Sequence, residues 1–176
     1  VDFEKNVWLA CSRGVSKISS RRFGSYQAKH GLLEDEVTAV REYEPGKFVF
    51  GHNRGLTFFD ITGSGDTPFT QRFILPGKNE ESLQWRVMDI KIDSKKNTWA
   101  ALASKPLIRI DRQGNLQRYD RPEGLPLPAS CLWIDPGDVL WVGTSQGLYR
   151  WQGQHFVPVK TGIPGLEMPG IRKKSH

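Results

Sequence analysis

Short apolar runs separated by turn-forming residues alternate along the chain, and no stretch shows the i, i+3, i+4, i+7 spacing of an amphipathic helix. The runs are short and rich in β-branched and aromatic side chains, which is typical of β-strands. They recur in a fixed order: strand a, a turn, strand b, a glycine-containing loop, strand c, a second turn and strand d. This pattern predicts an all-β protein with essentially no helix.

The second strand of each unit carries one equivalent position, which we call the anchor. The anchors are Trp8, Val49, Trp99 and Trp141. They are 41, 50 and 42 residues apart, which is the length of one β-propeller blade. Because the three tryptophans share one repeated position, we expect them to be buried between blades rather than to bind a sugar.

The turn before each anchor repeats as well. An aspartate precedes each tryptophan by six residues, at Asp2, Asp93 and Asp135, whereas Tyr43 takes that place before Val49. These turns are rich in Asp, Asn, Gly and Pro, as tight turns are. They lack the run of acids and the closing glutamate of a calcium loop, so we interpret the aspartates as turn residues.

The chain begins on the turn before a strand b, so the first unit has three strands and each of the next three has four, which predicts fifteen strands. Because a four-stranded meander cannot bury both faces alone, radial stacking of blades is favoured. We therefore predict about four β-propeller blades, as a partial propeller or a small closed ring. The predicted propeller segment is 1–166, with blades at about 2–30, 31–82, 83–123 and 124–160. Residues 167–176 are predicted to be a basic tail that is disordered or not native.

The last unit carries the most complete motif. Residues 123–126 read Glu-Gly-Leu-Pro, 131–135 read Cys-Leu-Trp-Ile-Asp, and 140–148 read Leu-Trp-Val-Gly-Thr-Ser-Gln-Gly-Leu. This resembles the two-component regulator propeller repeat, and the resemblance extends from residue 2 to about 166. It is moderate in the first unit and weaker in the second, which lacks the tryptophan and the aspartate. The third unit has Lys-Pro-Leu at 105–107 where Gly-Leu is expected.

The resemblance implies a sensor propeller of a bacterial signal-transduction protein, in the periplasm or otherwise extracytoplasmic, with an output domain elsewhere in the parent protein. The expected function is non-catalytic ligand sensing or interaction. Two alternatives stay open. One is a lyase or hydrolase that acts at the mouth of the propeller channel; the other is a scaffold that only binds proteins. A convergent set of titratable groups on one face would favour the enzyme, and binding of a small saccharide would argue against the scaffold.

Charge and composition narrow the classes of partner. The net charge is +6, but half of that excess comes from Arg172, Lys173 and Lys174, so a nucleic-acid partner is not expected. No apolar run is long enough to span a membrane in this segment. The histidines lack metal-ligand spacing, and neither a metal nor a cofactor is expected. Cys11 and Cys131 lie inside strand-like runs, so they are predicted to be buried free thiols.

In a propeller the b–c loops, and the loops that lead into each strand a, gather on one face. The residue types in these loops differ from blade to blade, with arginine, amide and one aromatic side chain among them, which suits a small polar ligand such as an oligosaccharide or an anion. Trp85 lies outside the repeat and is open to two interpretations, an exposed stacking aromatic or a core residue. The candidate ligand-binding residues are Arg13, His52, Asn53, Arg54, Trp85, Arg86, Ser104, Lys105, Ser145 and Gln146. The open strand edges at the two ends predict a second kind of partner, either remaining blades of the parent chain or another copy.

Overall fold

The computed structural model describes residues 1–4, 6–19, 22–62, 69–75, 85–126 and 128–160. These residues form fifteen strands in four antiparallel sheets, which confirms the predicted all-β arc of blades. The first sheet has three strands and the others have four. A short 3₁₀ turn forms at Ala28–His30, and no helix in the described ranges has the length and apolar character to cross a membrane. The predicted tail at 167–176 lies outside the described residues.

Each sheet is a simple meander, because its strands pair in chain order. We number the sheets as blades 1 to 4, and blade 1 begins at position b. Blade 1 contains β1 (Val7–Cys11), β2 (Gly14–Ser19) and β3 (Arg22–Tyr26). Blade 2 contains β4 (Ala39–Glu44), β5 (Lys47–Gly51), β6 (Gly55–Asp60) and β7 (Phe69–Ile74). Blade 3 contains β8 (Val87–Ile92), β9 (Thr98–Leu102), β10 (Leu107–Ile110) and β11 (Leu116–Tyr119). Blade 4 contains β12 (Ala129–Ile134), β13 (Leu140–Thr144), β14 (Gly147–Trp151) and β15 (Phe156–Pro158).

Strand c starts on a glycine in three blades because the backbone there has a positive φ. The angles are +125° at Gly14, +157° at Gly55 and +119° at Gly147. At Gly14 a Cβ atom would also collide with the carbonyl oxygen of Tyr26. These glycines therefore shape the b–c turn.

The hydrophobic core lies between successive blades, in three clusters. Strand b contributes to two of them, since alternate side chains point to opposite faces of the sheet. In blade 2 the anchor Val49 packs toward blade 3, whereas Phe48 and Phe50 pack against Trp8 of blade 1. In blade 3 the anchor Trp99 packs toward blade 4. Each anchor thus faces the following blade.

Among the described residues, no blade covers the outer face of blade 1. Val7 and Leu9 flank the anchor on strand b and are 40% and 48% exposed. Cys11 is also exposed and free, so its predicted burial is wrong. Cys11 lies on the side of this strand b that would face a preceding blade, and the described residues do not include such a blade.

The outer face of blade 4 is open in the same way. Trp133 is 55% exposed, and Cys131 is a free, exposed cysteine, again contrary to the prediction. The anchor Trp141 is half-buried, not fully buried as Trp8 and Trp99 are. No core cluster of the described residues joins blade 4 to blade 1. The four blades therefore form an open arc with two apolar end faces.

Blades 1, 3 and 4 share an arrangement that we call the Asp–Trp–cation module. The anchor indole donates a hydrogen bond to the turn aspartate, and a basic side chain opposite the anchor on strand c stacks over the indole ring. The hydrogen bonds join Trp8 to Asp2 at 2.8 Å, Trp99 to Asp93 at 3.0 Å and Trp141 to Asp135 at 2.8 Å. The stacked cations are Lys17 at 5.5 Å, Arg109 at 5.6 Å and Arg150 at 5.9 Å from the ring centres. The hydrogen bond from Trp141 lowers the pKa of Asp135.

Blade 2 replaces all three members of this module. Tyr43 stands for the aspartate and Val49 for the tryptophan, and Phe58 pairs with Val49 across the strands. The Tyr43 and Phe58 rings meet edge to face, with centres 6.3 Å apart. In this blade, aromatic packing between Tyr43 and Phe58 therefore replaces the hydrogen bond and the stacked cation of the module.

Candidate functional site

The predicted ligand face lies where the b–c loops meet the segments that lead into each strand a, and we call it the upper face. Backbone hydrogen bonds connect blades 2 and 3 there. Val87 N donates to His52 O at 3.0 Å, and Ala103 N donates to Arg86 O at 2.9 Å. The sequence segment before β8 is thereby held against the b–c loops of two blades.

An ionic network occupies the upper face of blade 2. Arg54 Nε donates to Glu34 Oε1 at 2.9 Å, and Arg86 Nη1 donates to Glu36 Oε1 at 2.6 Å. Asn53 lies between the two pairs. Its Nδ2 donates to Glu36 Oε2 at 2.9 Å, and its Oδ1 accepts from Arg86 Nη1 at 2.9 Å. Each arginine is therefore matched by a glutamate. Asn53 bridges the two pairs, because its backbone N also donates to Glu34 Oε2 at 3.1 Å.

Hydrogen bonds fix the charge state of this network. Those that Asn53 and Arg86 donate lower the pKa of Glu36, and the nearby guanidinium charge adds to the effect. Glu36 is therefore a carboxylate at neutral pH, and with Arg86 it forms a locally balanced pair. The surface that results offers oriented hydrogen-bond donors and acceptors rather than a free positive charge.

His52 is not available to a ligand, contrary to the prediction, because its side chain is completely buried. Its Nδ1 lies 2.8 Å from the carbonyl oxygen of Glu36, and its Nε2 lies 2.9 Å from Thr57 Oγ1. Thr57 Oγ1 already accepts a hydrogen bond from Leu33 N, so its hydroxyl hydrogen is free for Nε2. His52 is thus the neutral Nδ1–H tautomer, and its burial lowers its pKa.

Trp85 is also a core residue, and its interpretation as an exposed stacking aromatic is wrong. It is 9% exposed and packs in the cluster between blades 2 and 3. The Lys105 ammonium lies 5.2 Å and the Arg118 guanidinium 5.9 Å from its ring centre. The indole therefore supports two basic side chains at the surface, as a cation–π platform.

The remaining predicted residues lie apart from the network. Arg13, Ser104, Ser145 and Gln146 are exposed. The described contacts join none of their side chains to Glu34, Glu36 or Arg86. Glu36 was not among the predicted residues. The sequence signal for it is an acid two residues after Glu34, in the segment before a strand a, which lies opposite loops that carry arginine. Within the described ranges, no group of three His, Cys, Asp or Glu side chains is arranged to hold a metal ion.

No protein-family model and no curated protein sequence matches the chain. Solved structures do. The extracellular domain of the putative hybrid two-component system BT3049 from B. thetaiotaomicron matches with a TM-score of 0.67 and 17% identity over 93% of this chain and 23% of that chain. The extracellular domain of the putative hybrid two-component system BT4673 from the same organism matches with a TM-score of 0.69 and 16% identity, over 92% of this chain and 21% of that chain. Virginiamycin B lyase from Staphylococcus aureus matches with a TM-score of 0.70 and 14% identity, over 93% of this chain and 55% of that chain.

These likenesses show the fold. The chain spans less than a quarter of the two-component domains and about half of the lyase. At identities below 20%, the ligands and activities of those proteins do not transfer with the fold. The neighbours agree with the predicted arc of propeller blades.

Proposed function

We propose that this chain is a non-catalytic part of a ligand-sensing propeller, in the extracytoplasmic region of a bacterial signal-transduction protein. Two observations support the proposal. The chain shares its fold with extracellular domains of two-component systems, and its upper face carries a pre-organised polar network. The network is the observation on which the proposal mainly rests, since Asn53, Arg86 and Glu36 hold one another in fixed orientations.

The ligand that suits this network is a neutral, hydroxyl-rich molecule such as an oligosaccharide. Sugar hydroxyls both donate and accept hydrogen bonds, and the network exposes both kinds of partner. The Arg86 and Glu36 side chains are 37% and 35% exposed, so a ligand can reach them without unfolding the blade. Because Arg86 is already paired with Glu36, a strongly anionic ligand would have to compete with a carboxylate that is held in place.

A binding experiment tests this proposal. The protein is titrated by calorimetry with a panel of neutral hexasaccharides, and the best binder is then tested against Arg86→Gln and Glu36→Gln. We expect each variant to weaken binding at least about tenfold, as the loss of a charge-assisted hydrogen bond implies. Arg121→Gln, an exposed substitution outside the network, is the matched control. Equal affinity in all four proteins would exclude this network as the sensing site.

The end faces support a further part of the proposal, that additional blades of the same polypeptide cover them. At each interior junction an anchor and its neighbours meet the flanking residues of the next strand b. The two end faces carry the two halves of such a junction. Val7 and Leu9 occupy flanking positions, and Trp141 occupies an anchor position.

Cys11 and Cys131 report on this coverage because one lies on each end face. We expect maleimide to label both thiols rapidly in the present chain and slowly in a longer polypeptide that carries further blades. Protection in the present chain that grows with its concentration would indicate self-association instead. Rapid labelling in both proteins would contradict coverage of the end faces.

The lyase neighbours motivate a second assay, for the alternative that the chain is an enzyme. The protein is incubated with the streptogramin quinupristin, and the mixture is followed by mass spectrometry. A binding module leaves the compound unchanged. Conversion above the buffer control would favour the lyase alternative.

A further inference from the structure

A cleft of about 360 Å³ opens between blades 2 and 3 at the end of the blades opposite the upper face. It lies beside the place where blade 2 lacks the Asp–Trp–cation module. In the 3–4 junction the Trp99 indole fills the equivalent region and packs against Tyr119 and Trp151. In the 2–3 junction Val49 is too small to do so, and the space remains open. Its volume falls within the range of small-molecule sites.

The walls of this cleft are aromatic. Tyr43 and Phe58 form one side with their edge-to-face contact, and Phe73 and Ile110 continue the apolar lining. All four side chains lie on strands or strand ends, so the wall is rigid. A flat ring can stack there and bury one face without displacing the core.

The rim of the cleft carries three basic side chains near Glu44, one of the three carboxylates that line the cleft. Glu44 is bonded to Lys47, with 3.0 Å between Oε2 and Nζ, and Lys96 and Arg112 approach it from blade 3. The hydrogen bond and charge of Lys47, with smaller contributions from Lys96 and Arg112, lower the pKa of Glu44. Three basic groups from two blades therefore surround one acid.

Two other carboxylates line the cleft, but their oxygens are engaged in turns. Asp60 Oδ1 accepts hydrogen bonds from Thr62 N and Thr62 Oγ1 at 2.8 and 2.5 Å. Asp111 accepts from the backbone of Gln113 at 2.9 Å and from Asn115 N and Nδ2 at 2.8 and 2.9 Å. Arg112, by contrast, has no ion-pair or hydrogen-bond partner among the described residues, and it lines the cleft. Its guanidinium is free to bind a ligand.

We propose that this cleft binds a carboxylate carried on a six-membered ring, with one face of the ring against Tyr43 and Phe58 and the carboxylate on Arg112 and Lys96. A guanidinium fits a carboxylate with two parallel hydrogen bonds, which gives both strength and orientation. Two sources share this chemistry: a uronic acid unit of a polysaccharide and a free aromatic acid. The site is separate from the upper-face network and does not depend on its proposed role.

The test uses three probes on the whole chain, trigalacturonate, benzoate and neutral galactotriose, with binding followed by saturation-transfer NMR and calorimetry. We expect an acidic probe to bind with an affinity that depends on Arg112, and any binding of galactotriose, for instance at the upper face, not to depend on Arg112. Trigalacturonate alone would identify the saccharide source, and benzoate alone the aromatic source; either supports the site. Failure of both acids to bind would overturn it.

Two variants give opposite expected results. Arg112→Gln removes the free cation and should weaken binding of the acid about tenfold. Glu44→Gln removes the resident carboxylate and should strengthen it about threefold, because the surrounding cations then lack a competing anion. Arg121→Gln, on the same blade outside the cleft, is the charge-matched control and should leave the affinity unchanged. An unchanged affinity in Arg112→Gln, or a weaker one in Glu44→Gln, would overturn the proposal even if the acid binds elsewhere.

Discussion

Two junctions differ in how the region around the anchor is packed: the junction between blades 3 and 4 and the junction between blades 2 and 3. In the first, Trp99 fills the space, Asp93 holds its indole nitrogen and Arg109 covers its ring. In the second, Tyr43, Val49 and Phe58 replace all three. The members change together because each needs the others: an aspartate without the indole loses a donor, and the stacked cation loses its ring. The three members are thus present together or absent together, and a cleft lies beside the blade that lacks them.

The largest expected effect comes from replacing Trp99, the anchor of blade 3, with valine, the residue at the anchor position of blade 2. Trp99 is 2% exposed, so Trp99→Val should lower the free energy of unfolding by about 3 kcal/mol through lost contacts and a cavity. Arg109 adds to the loss, because its guanidinium, 5.6 Å from the Trp99 ring centre, loses the ring on which it stacks. Urea denaturation measures the change. The half-exposed Trp133→Val is the control and should cost less than about 1 kcal/mol; equal losses in both would show that the anchor position is not special.

A smaller effect isolates the hydrogen bond of the module. Asp93 Oδ2 accepts from Trp99 Nε1 at 3.0 Å and from Asn97 Nδ2 at 2.7 Å. Asp93→Asn turns one acceptor into a donor and should cost about 1–2 kcal/mol in denaturant unfolding.

Asp111→Asn is the matched control for Asp93→Asn. Asp111 makes the same turn bonds to Asn115 but holds no tryptophan. A smaller loss there assigns the difference to the indole. The same loss in both variants would assign the role of Asp93 to the turn alone.

The reverse experiment installs the module in blade 2. Tyr43→Asp, Val49→Trp and Phe58→Lys together should fill the cleft and raise the free energy of unfolding by about 1 kcal/mol, through one hydrogen bond and one cation–π contact. Thermal denaturation measures the gain. Val49→Trp alone is the control, and it should stabilise less because its indole nitrogen has no acceptor. A triple variant less stable than the natural chain would mean that the cleft is not shaped like the missing indole.

Blade 2 also differs from the others in its response to acid. At the position of His52 the other blades have Cys11, Leu102 and Thr144, so a histidine occupies this position in blade 2 alone. Burial lowers the pKa of His52 below its ordinary 6.5, so the unfolded state binds the extra proton first.

The contribution of His52 to the free energy of unfolding should therefore be fully present above pH 6.5 and be lost as the pH falls toward the folded-state pKa of His52. Urea unfolding of the natural chain and of His52→Gln at pH 7.5 and pH 5.5 measures this contribution. The natural chain should lose more stability between the two pH values. Equal losses in the two proteins would assign the acid response to other groups.

The sequence was sufficient to predict the fifteen strands, since the order of turns, glycines and apolar runs repeats at a blade's length. It did not show which face of each strand is covered. Cys11 and Cys131 look buried because they sit in apolar strands, but their side chains point away from the interior of the arc. Identifying the uncovered faces required the positions of neighbouring blades.

The candidate site was predicted only in part, for a related reason. Loop position placed Asn53, Arg54 and Arg86 on one face, and the structure brings them together. The same argument failed for His52 and Trp85, because a residue in a loop segment can still point inward. The Asp–Trp–cation module was not predicted, because a basic residue on strand c can be assigned to the anchor tryptophan only once the pairing of strands b and c is known.

The unlike chemistry of the two end faces restricts the symmetry of any assembly made through them. Blade 1 offers the flanking side of a strand b, and blade 4 offers the anchor side with Trp133 and Trp141. A two-fold axis through one end face would place like against like, indole on indole, and would reproduce none of the interior junctions. A two-fold axis along the channel would instead place blade 1 of each copy against blade 4 of the other. Contacts of the interior kind are heterologous, so successive units add by rotation in one sense, and such a series either closes into a ring or continues as a helical filament.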